Sequence, residues 1–212
     1  MLLYLVRHGE TDWNLQHRIQ GSTDIPLNAT GREQARTTGA LLARRDWDAI
    51  VSSPLSRAAE TAAIIAAAAG LATPATVDAI VERNYGEAEG LTDAEINDRF
   101  PGDSPVPGRE TREQVVERVL PALMAIAESH PDEAVLVVSH GGVIRSVLNA
   151  VDPETKHGMI TNGSVHSFSY EDGSLRLIAF DDPIEAESLD CATEDLEEQN
   201  ALERRETAGT QA

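Results

Sequence analysis

The 212-residue chain has one cysteine, Cys191. A single thiol excludes an intrachain disulfide framework and a cysteine-based zinc site, and it fits a reducing compartment. Basic side chains are scarce: 17 Lys and Arg stand against 36 Asp and Glu, a formal charge of -19. Such a surface repels nucleic acid and anionic membrane, so any anion has to be bound in a locally positive pocket. Long apolar runs are missing. Arg7 ends the opening one after a few residues, too soon for a signal-peptide core or a membrane span. There is no HxH or HExxH pattern and no pair of acids beside one, which argues against a metal-dependent hydrolase. These absences lead us to expect a soluble, cytoplasmic protein with no nucleic-acid or membrane partner.

Apolar segments alternate with helical ones. Leu3 to Val6 reads as a buried strand, "DAIVSS" (48–53) as a second and "AVLVVS" (134–139) as the most apolar. "TVDAIVE" (76–82) reads as a short third, edge-like strand. Helices are expected after Thr30, where Thr30 and Glu33 form a capping box, and over "PLSRAAETAAIIAAAAG", with Pro54 in its first turn and Gly70 as its stop. A minor helix opens at Thr92 with Glu95 as its capping partner. A long amphipathic one follows over 111–129, with a kink or break at Pro121, and another over 141–151. "SVHSFSY" and "SLRLIAF" flank "EDG", a hairpin signal. The pattern predicts an α/β fold: a three-layer α/β/α sandwich over residues 1–180, with a mostly parallel central sheet and an antiparallel edge hairpin. Residues 181–212 carry eleven acidic and two basic side chains. They read as a solvated tail, with a helical segment around "TEDLEEQNALERR".

In an open α/β sheet, ligands bind at the carboxyl ends of the strands. The first strand delivers Arg7 and His8 there. The second leads to Arg57 in the first turn of a helix. The strand at 134–139 delivers Ser139 and His140, followed by Gly141 and Gly142. Two guanidinium groups favour an anion with several oxygens, and a phosphoryl group fits best. A histidine beside two arginines is held neutral, so its lone pair can attack phosphorus. Arg7, Arg57, His140 and the backbone N–H groups of the helix start would stabilise the equatorial oxygens without metal or other cofactor. A carboxyl group with a raised pKa would protonate the leaving alcohol and later activate water. Glu82 is the best placed, with Glu10, Glu87, Glu89 and Glu110 as rivals. His17, His130, His157 and His166 are assigned to surface or structure.

"LVRHGETDWN", "RIQGSTDIPLNATGREQA", "SSPLSRAAET", "ERNYGEAEG" and "VVSHGG" occur in this order over Leu3 to about Phe180. Together they resemble the histidine phosphatase superfamily, also called phosphoglycerate-mutase-like. The resemblance implies a phosphohistidine on His8, a phosphate pocket completed by Arg7, Arg57 and His140, and Glu82 as the proton donor. It also implies that Asn14, Gln20 and Thr23 lie near the phosphate or the substrate mouth, with Gly141 on the substrate side of the His140 turn. Many phosphatase members carry an aromatic residue where this chain has Ala88. The compact stretch from Tyr85 to Arg112 resembles the phosphatase branch. Cofactor-dependent mutases carry a longer insertion with an arginine pair, whereas Arg99, Arg109 and Arg112 are separated here. The expected activity is therefore metal-independent hydrolysis of a small phosphorylated metabolite. The alternatives are a cofactor-dependent phosphoglycerate mutase and a non-catalytic phospholigand-binding or scaffold protein.

Overall fold

The computed structural model describes residues 1–184. Their central element is β1 (Leu2–Arg7), buried on both faces. Parallel to it runs β4 (Ala134–Ser139), then β2 (Ala49–Ser52), then the two-residue β3 (Ala75–Thr76). On the other side, β5 (Val165–Glu171) pairs antiparallel with β1, and β6 (Ser174–Ala179) with β5. The order β3-β2-β4-β1-β5-β6 is the expected mostly parallel sheet with an antiparallel edge hairpin.

Alternation along the strands splits the core into two layers. Leu3, Leu5, Val135, Val137 and Phe168 face α5 (Arg112–Ser129) and α6 (Gly141–Val151). Tyr4, Val6, Leu136 and Val138 face α2 (Ala29–Leu42) and α3 (Ser56–Ala69). Alanines on α3 and Gly39 on α2 bring these two helices close; a Cβ on Gly39 would stand 3.1 Å from Ala68 Cβ. Gly70 closes α3 at φ 69 as expected, while Pro54 lies just before the helix rather than inside it.

Four local expectations are revised. The N-cap of α2 is Asn28, whose side chain accepts the Gly31 N–H at 2.8 Å; Thr30 is already inside the helix. The third strand stops after Thr76, because the chain turns into a 3-10 segment (Asp78–Ile80) that drives Ile80 into the core. A short helix, α1 (Asp12–Leu15), was not expected. Finally, α5 runs unbroken through Pro121, which lies on its exposed face, where water can satisfy the carbonyl left without its donor.

Residues 84–110 form a cap at the carboxyl edge of the sheet, carrying α4 (Asp93–Arg99) with its expected Thr92–Glu95 capping box. Tyr85, Ala88, Ile96, Phe100 and Val106 make a third apolar cluster, against which Ile19 and Leu91 pack. Ala88 lies inside that cluster. The chain past β6 is still anchored at its start: the Asp182 N–H donates to the Val165 carbonyl, and Ile184 is 1 % exposed in the α2–α3 layer. The acidic stretch from 185 on, including the helix anticipated around 193–205, lies outside the described residues.

Candidate active site

Arg7 is paired with Ser139 in the β1–β4 register, so the two strands end side by side and release His8 and His140 at the same place. The ring centroids of these histidines are 5.1 Å apart. The turn after His8 is possible only with glycine on both sides of a backbone contact. A Cβ on Gly9 would fall 2.2 Å from the Gly31 carbonyl oxygen, and one on Gly31 would fall 2.0 Å from that of Glu10. The start of α2 is thereby pressed against the strand end that carries the histidine.

The His8 tautomer follows from its neighbours. Its Nδ1 lies 2.7 Å from the Gly9 carbonyl oxygen, which can only accept, so Nδ1 carries the proton and Nε2 the lone pair. Arg57 Nε donates to Nε2 at 3.3 Å. Burial first, then the charges of Arg57 and Arg7, hold the imidazole pKa well below its ordinary 6.5, against the opposing pull of the Gly9 carbonyl. His140 is buried, its Nε2 lies 2.7 Å from Ser53 Oγ, and its Nδ1 makes no hydrogen bond among the described residues. Burial, then Arg57, His8 and Arg7, lower its pKa strongly as well.

Arg57 is fully buried, which for a guanidinium is tolerable only with its donors engaged. Nη1 donates to the Thr23 carbonyl at 2.9 Å and Nη2 to that of Gly21 at 2.7 Å. Burial lowers its pKa to about 10, with Glu82 and Asp24 opposing, so it is a cation at neutral pH. The same loop caps α3: Asp24 Oδ1 accepts the Ser56 N–H at 2.8 Å and its hydroxyl at 2.7 Å. Arg7, 5 % exposed, donates from Nη1 to the Ile160 carbonyl at 2.7 Å.

Glu82 reaches the site because the 3-10 turn ends two residues before it. Its Oε1 accepts the N–H groups of Arg83 at 2.7 Å and Val143 at 3.1 Å, and its Oε2 that of Gly142 at 3.0 Å. The amides of Gly142 and Val143, expected to face a phosphate, thus hold a carboxylate instead. Favourable dipole placement explains the choice, since a negative group is stabilised at a helix N-terminus.

Arg7, His8, Asn14, Gln20, Arg57 and Glu82 line one cleft, open to solvent at its mouth. Thr23, His140 and Gly141 do not line it. Thr23 supports Arg57, and His140 sits against His8. Asn14 Oδ1 also accepts from the Thr11 N–H at 3.1 Å, and Gln20 Oε1 accepts from the Thr11 hydroxyl at 2.9 Å. The rival carboxylates are engaged elsewhere. Glu10 accepts from Asn28 Nδ2 at 2.7 Å, Glu87 pairs with Arg99, Glu110 with Arg118 at 2.7 Å, and Glu89 holds the 22–23 loop.

The sequence reading missed Trp13, Arg18, Ile19 and Tyr85, which line the cleft, and it placed His17 away from the site, whereas His17 stands at the mouth. It also missed Ser53 and Asn162, whose Nδ2 donates to the His8 carbonyl at 2.9 Å across 154 residues of chain. Trp13 and Arg18 lie on or just after a four-residue helix, too short to leave a periodic signal. His166 is structural as expected: it is buried, it accepts the Asp181 N–H on Nδ1 at 3.0 Å, and burial lowers its pKa to about 3. No helix among the described residues is long and apolar enough to cross a membrane.

The family model of the histidine phosphatase superfamily (branch 1) matches residues 3–183. The "uncharacterized phosphatase PhoE" of Bacillus subtilis (strain 168) is 42 % identical over 176 residues, covering 82 % of this chain and 90 % of that protein. A metal-independent phosphoserine phosphatase of Arabidopsis thaliana is 35 % identical, covering 77 % and 74 %. Relatives named as phosphoglycerate mutases match at 31 to 34 % identity. Among solved structures, a mycobacterial glucosyl-3-phosphoglycerate phosphatase complexed with VO3 superposes with a TM-score of 0.77 at 30 % identity, covering 85 % of this chain and 98 % of that one. With its sheet order, its paired histidines and this match over nearly all of its described length, the chain belongs to the histidine phosphatase superfamily and is one of its enzymes.

Proposed function

We propose that the protein hydrolyses the phosphomonoester of a small phosphorylated metabolite through a phosphohistidine on His8, without metal. The observation that carries this reading is the His8 imidazole. Its proton is committed to Gly9, its Nε2 lone pair is set beside Arg57, and Glu82 lines the same cleft. In the first half-reaction, Nε2 bonds to phosphorus as the ester P–O bond breaks, and Glu82, which takes up a proton when the negative phosphoryl group is bound beside it, gives that proton to the leaving alkoxide. In the second, ionised Glu82 takes a proton from water, whose oxygen attacks phosphorus. The P–N bond breaks, and inorganic phosphate leaves with His8 neutral again. Arg7 and Arg57 supply the positive charge that a metal ion would otherwise bring to the phosphoryl oxygens. His140, its ring centroid 5.1 Å from that of His8, backs the nucleophile, and Asn14 and Gln20 face the incoming substrate.

The mutase alternative needs cations for the carboxylate of phosphoglycerate and a phosphoenzyme shielded from water. Arg83, Arg99, Arg109 and Arg112 do not line the cleft, Arg18, which does, is paired with Glu95 at 3.1 Å, and the cleft is open at its mouth. Both features favour the phosphatase. One preparation tests the whole reading. Labelled substrate, rapidly quenched, should leave label that survives base and is lost in acid. Phosphate release should far outpace interconversion of 2- and 3-phosphoglycerate, even with bisphosphoglycerate added, and exhaustive chelation should leave the rate unchanged. Label retained by His8→Ala, or isomerisation faster than hydrolysis, would reject it.

A further inference from the structure

Glu89 does not line the cleft, yet its carboxylate accepts five hydrogen bonds. Oε1 takes the Ser22 N–H at 2.9 Å, the Ser22 hydroxyl at 3.0 Å and the Tyr85 N–H at 3.0 Å. Oε2 takes the Thr23 N–H at 2.9 Å and the Thr23 hydroxyl at 2.5 Å. The loop is shaped to receive it. Gly21 has φ 57, and a Cβ there would stand 2.1 Å from Glu89 Oε1. The segment so gripped is the one whose Gly21 and Thr23 carbonyls hold the two terminal nitrogens of Arg57, whose Nε in turn faces His8 Nε2.

We infer that Glu89 is a positioning residue for catalysis: it sets the loop 21–23, the loop sets the Arg57 guanidinium, and Arg57 orients the His8 lone pair and the phosphoryl group. The inference rests on the phosphatase reading. A carboxylate suits the task because two oxygens with about four acceptor sites can bind several donors in one small volume, which a carboxamide with one oxygen cannot. The grip on Tyr85 ties the same clamp to the segment that carries Glu82. Nucleophile, cation and acid are thus referred to a single side chain outside the cleft.

Glu89→Gln replaces the second acceptor oxygen with a donor that faces Thr23. With p-nitrophenyl phosphate as substrate, kcat should fall about 10²-fold, the scale of a small misplacement in a preorganised site, while KM changes by less than about threefold. Glu89→Asp, which keeps both oxygens, should recover part of the loss. Glu87→Gln, two residues away and paired only at the surface, should keep the wild-type rate. Thr23→Val combined with Glu89→Gln should cost little more than Glu89→Gln alone, because both act through one contact. In protein labelled with 15N-histidine, the His8 Nε2 resonance should shift in Glu89→Gln and stay in place in Glu87→Gln. A merely structural role predicts a lower melting temperature with kcat per folded molecule and the His8 resonance both unchanged, and that result overturns the inference. If the wild type itself released no more phosphate than His8→Ala, the phosphatase reading would fall. The His8 resonance would still decide whether Glu89 acts on the site, and an unmoved signal would refute it.

Discussion

Three buried imidazoles, those of His8, His140 and His166, are held neutral by burial, the first two also by Arg57 and Arg7. For each, the pKa in the fold lies below that of the unfolded chain. As pH falls below about 6.5, the unfolded chain takes up protons that the fold refuses. The stability these groups leave intact above 6.5 is therefore lost on acidification, down to the folded pKa, which is about 3 for His166. Each such histidine contributes a slope of about 1.4 kcal/mol per pH unit inside its window. Urea unfolding at pH 7.5, 5.5 and 4.5 should show His166→Asn losing less stability with acid than the wild type, by about that slope; carboxylates common to both chains cancel in the difference. Parallel curves would mean that His166 is protonated in the fold. In catalysis the same cause has a visible effect: the acid limb of kcat/KM should not fall at 6.5, where a free imidazole would lose its lone pair, but lower.

The start of α6 carries the acid. Gly142 lies inside the helix, where alanine is intrinsically favoured by about 1 kcal/mol. Packing forbids it: a Cβ there would stand 2.6 Å from Glu82 Oε1 and 3.0 Å from the Tyr85 hydroxyl. Gly142→Ala should therefore separate stability from function. Thermal unfolding should be little changed, as helix propensity offsets the displacement of a flexible side chain. Turnover should fall by about 10² or more, the usual share of a positioned general acid. A substrate with a good leaving group needs less protonation, so p-nitrophenyl phosphate should suffer less than an alkyl phosphate. Equal losses on both substrates would argue that the change damages His8 or Arg57 rather than Glu82.

Among the described residues, two apolar layers enclose the sheet and a third cluster borders the cleft through Tyr85 and Ile19. Ile184, the last described residue, packs in the α2–α3 layer, and the sequence beyond it is acidic with few large apolar residues. A chain ending at Ile184 should keep both stability and turnover. A chain ending at Asp182 loses that side chain from the core, and should be less stable by about 2–5 kcal/mol, the range for deleting a buried isoleucine, with turnover per folded molecule unchanged. Chemical denaturation of the two truncations against the full chain would show it. Equal stability of the two would place Ile184 outside the cooperative core.

Strands β1, β2 and β4, the edge hairpin and the residues His8, Arg7, Arg57 and His140 were legible because each rests on a local pattern: continuous apolar runs for doubly buried strands, and polar residues placed just beyond them. The brevity of β3 was not legible. "TVDAIVE" has strand composition, and only the demand of the core for Ile80 turns it into a 3-10 segment. Nor was the unbroken α5, since whether a proline interrupts a helix depends on which face meets water. The sequence favoured Glu82 by position but could not exclude Glu10, Glu87, Glu89 and Glu110, because the identity of a carboxylate says nothing about its partners. Tertiary structure sent one to the cleft beside His8, one to Asn28, two to arginines and one to the loop that holds Arg57. The sequence alone determined which residues follow each strand, because side-chain period and burial act over a few neighbours. Which of those residues meet was decided by contacts between distant positions, such as that from Asn162 to His8 across 154 positions, which exist only once the strands have been placed side by side.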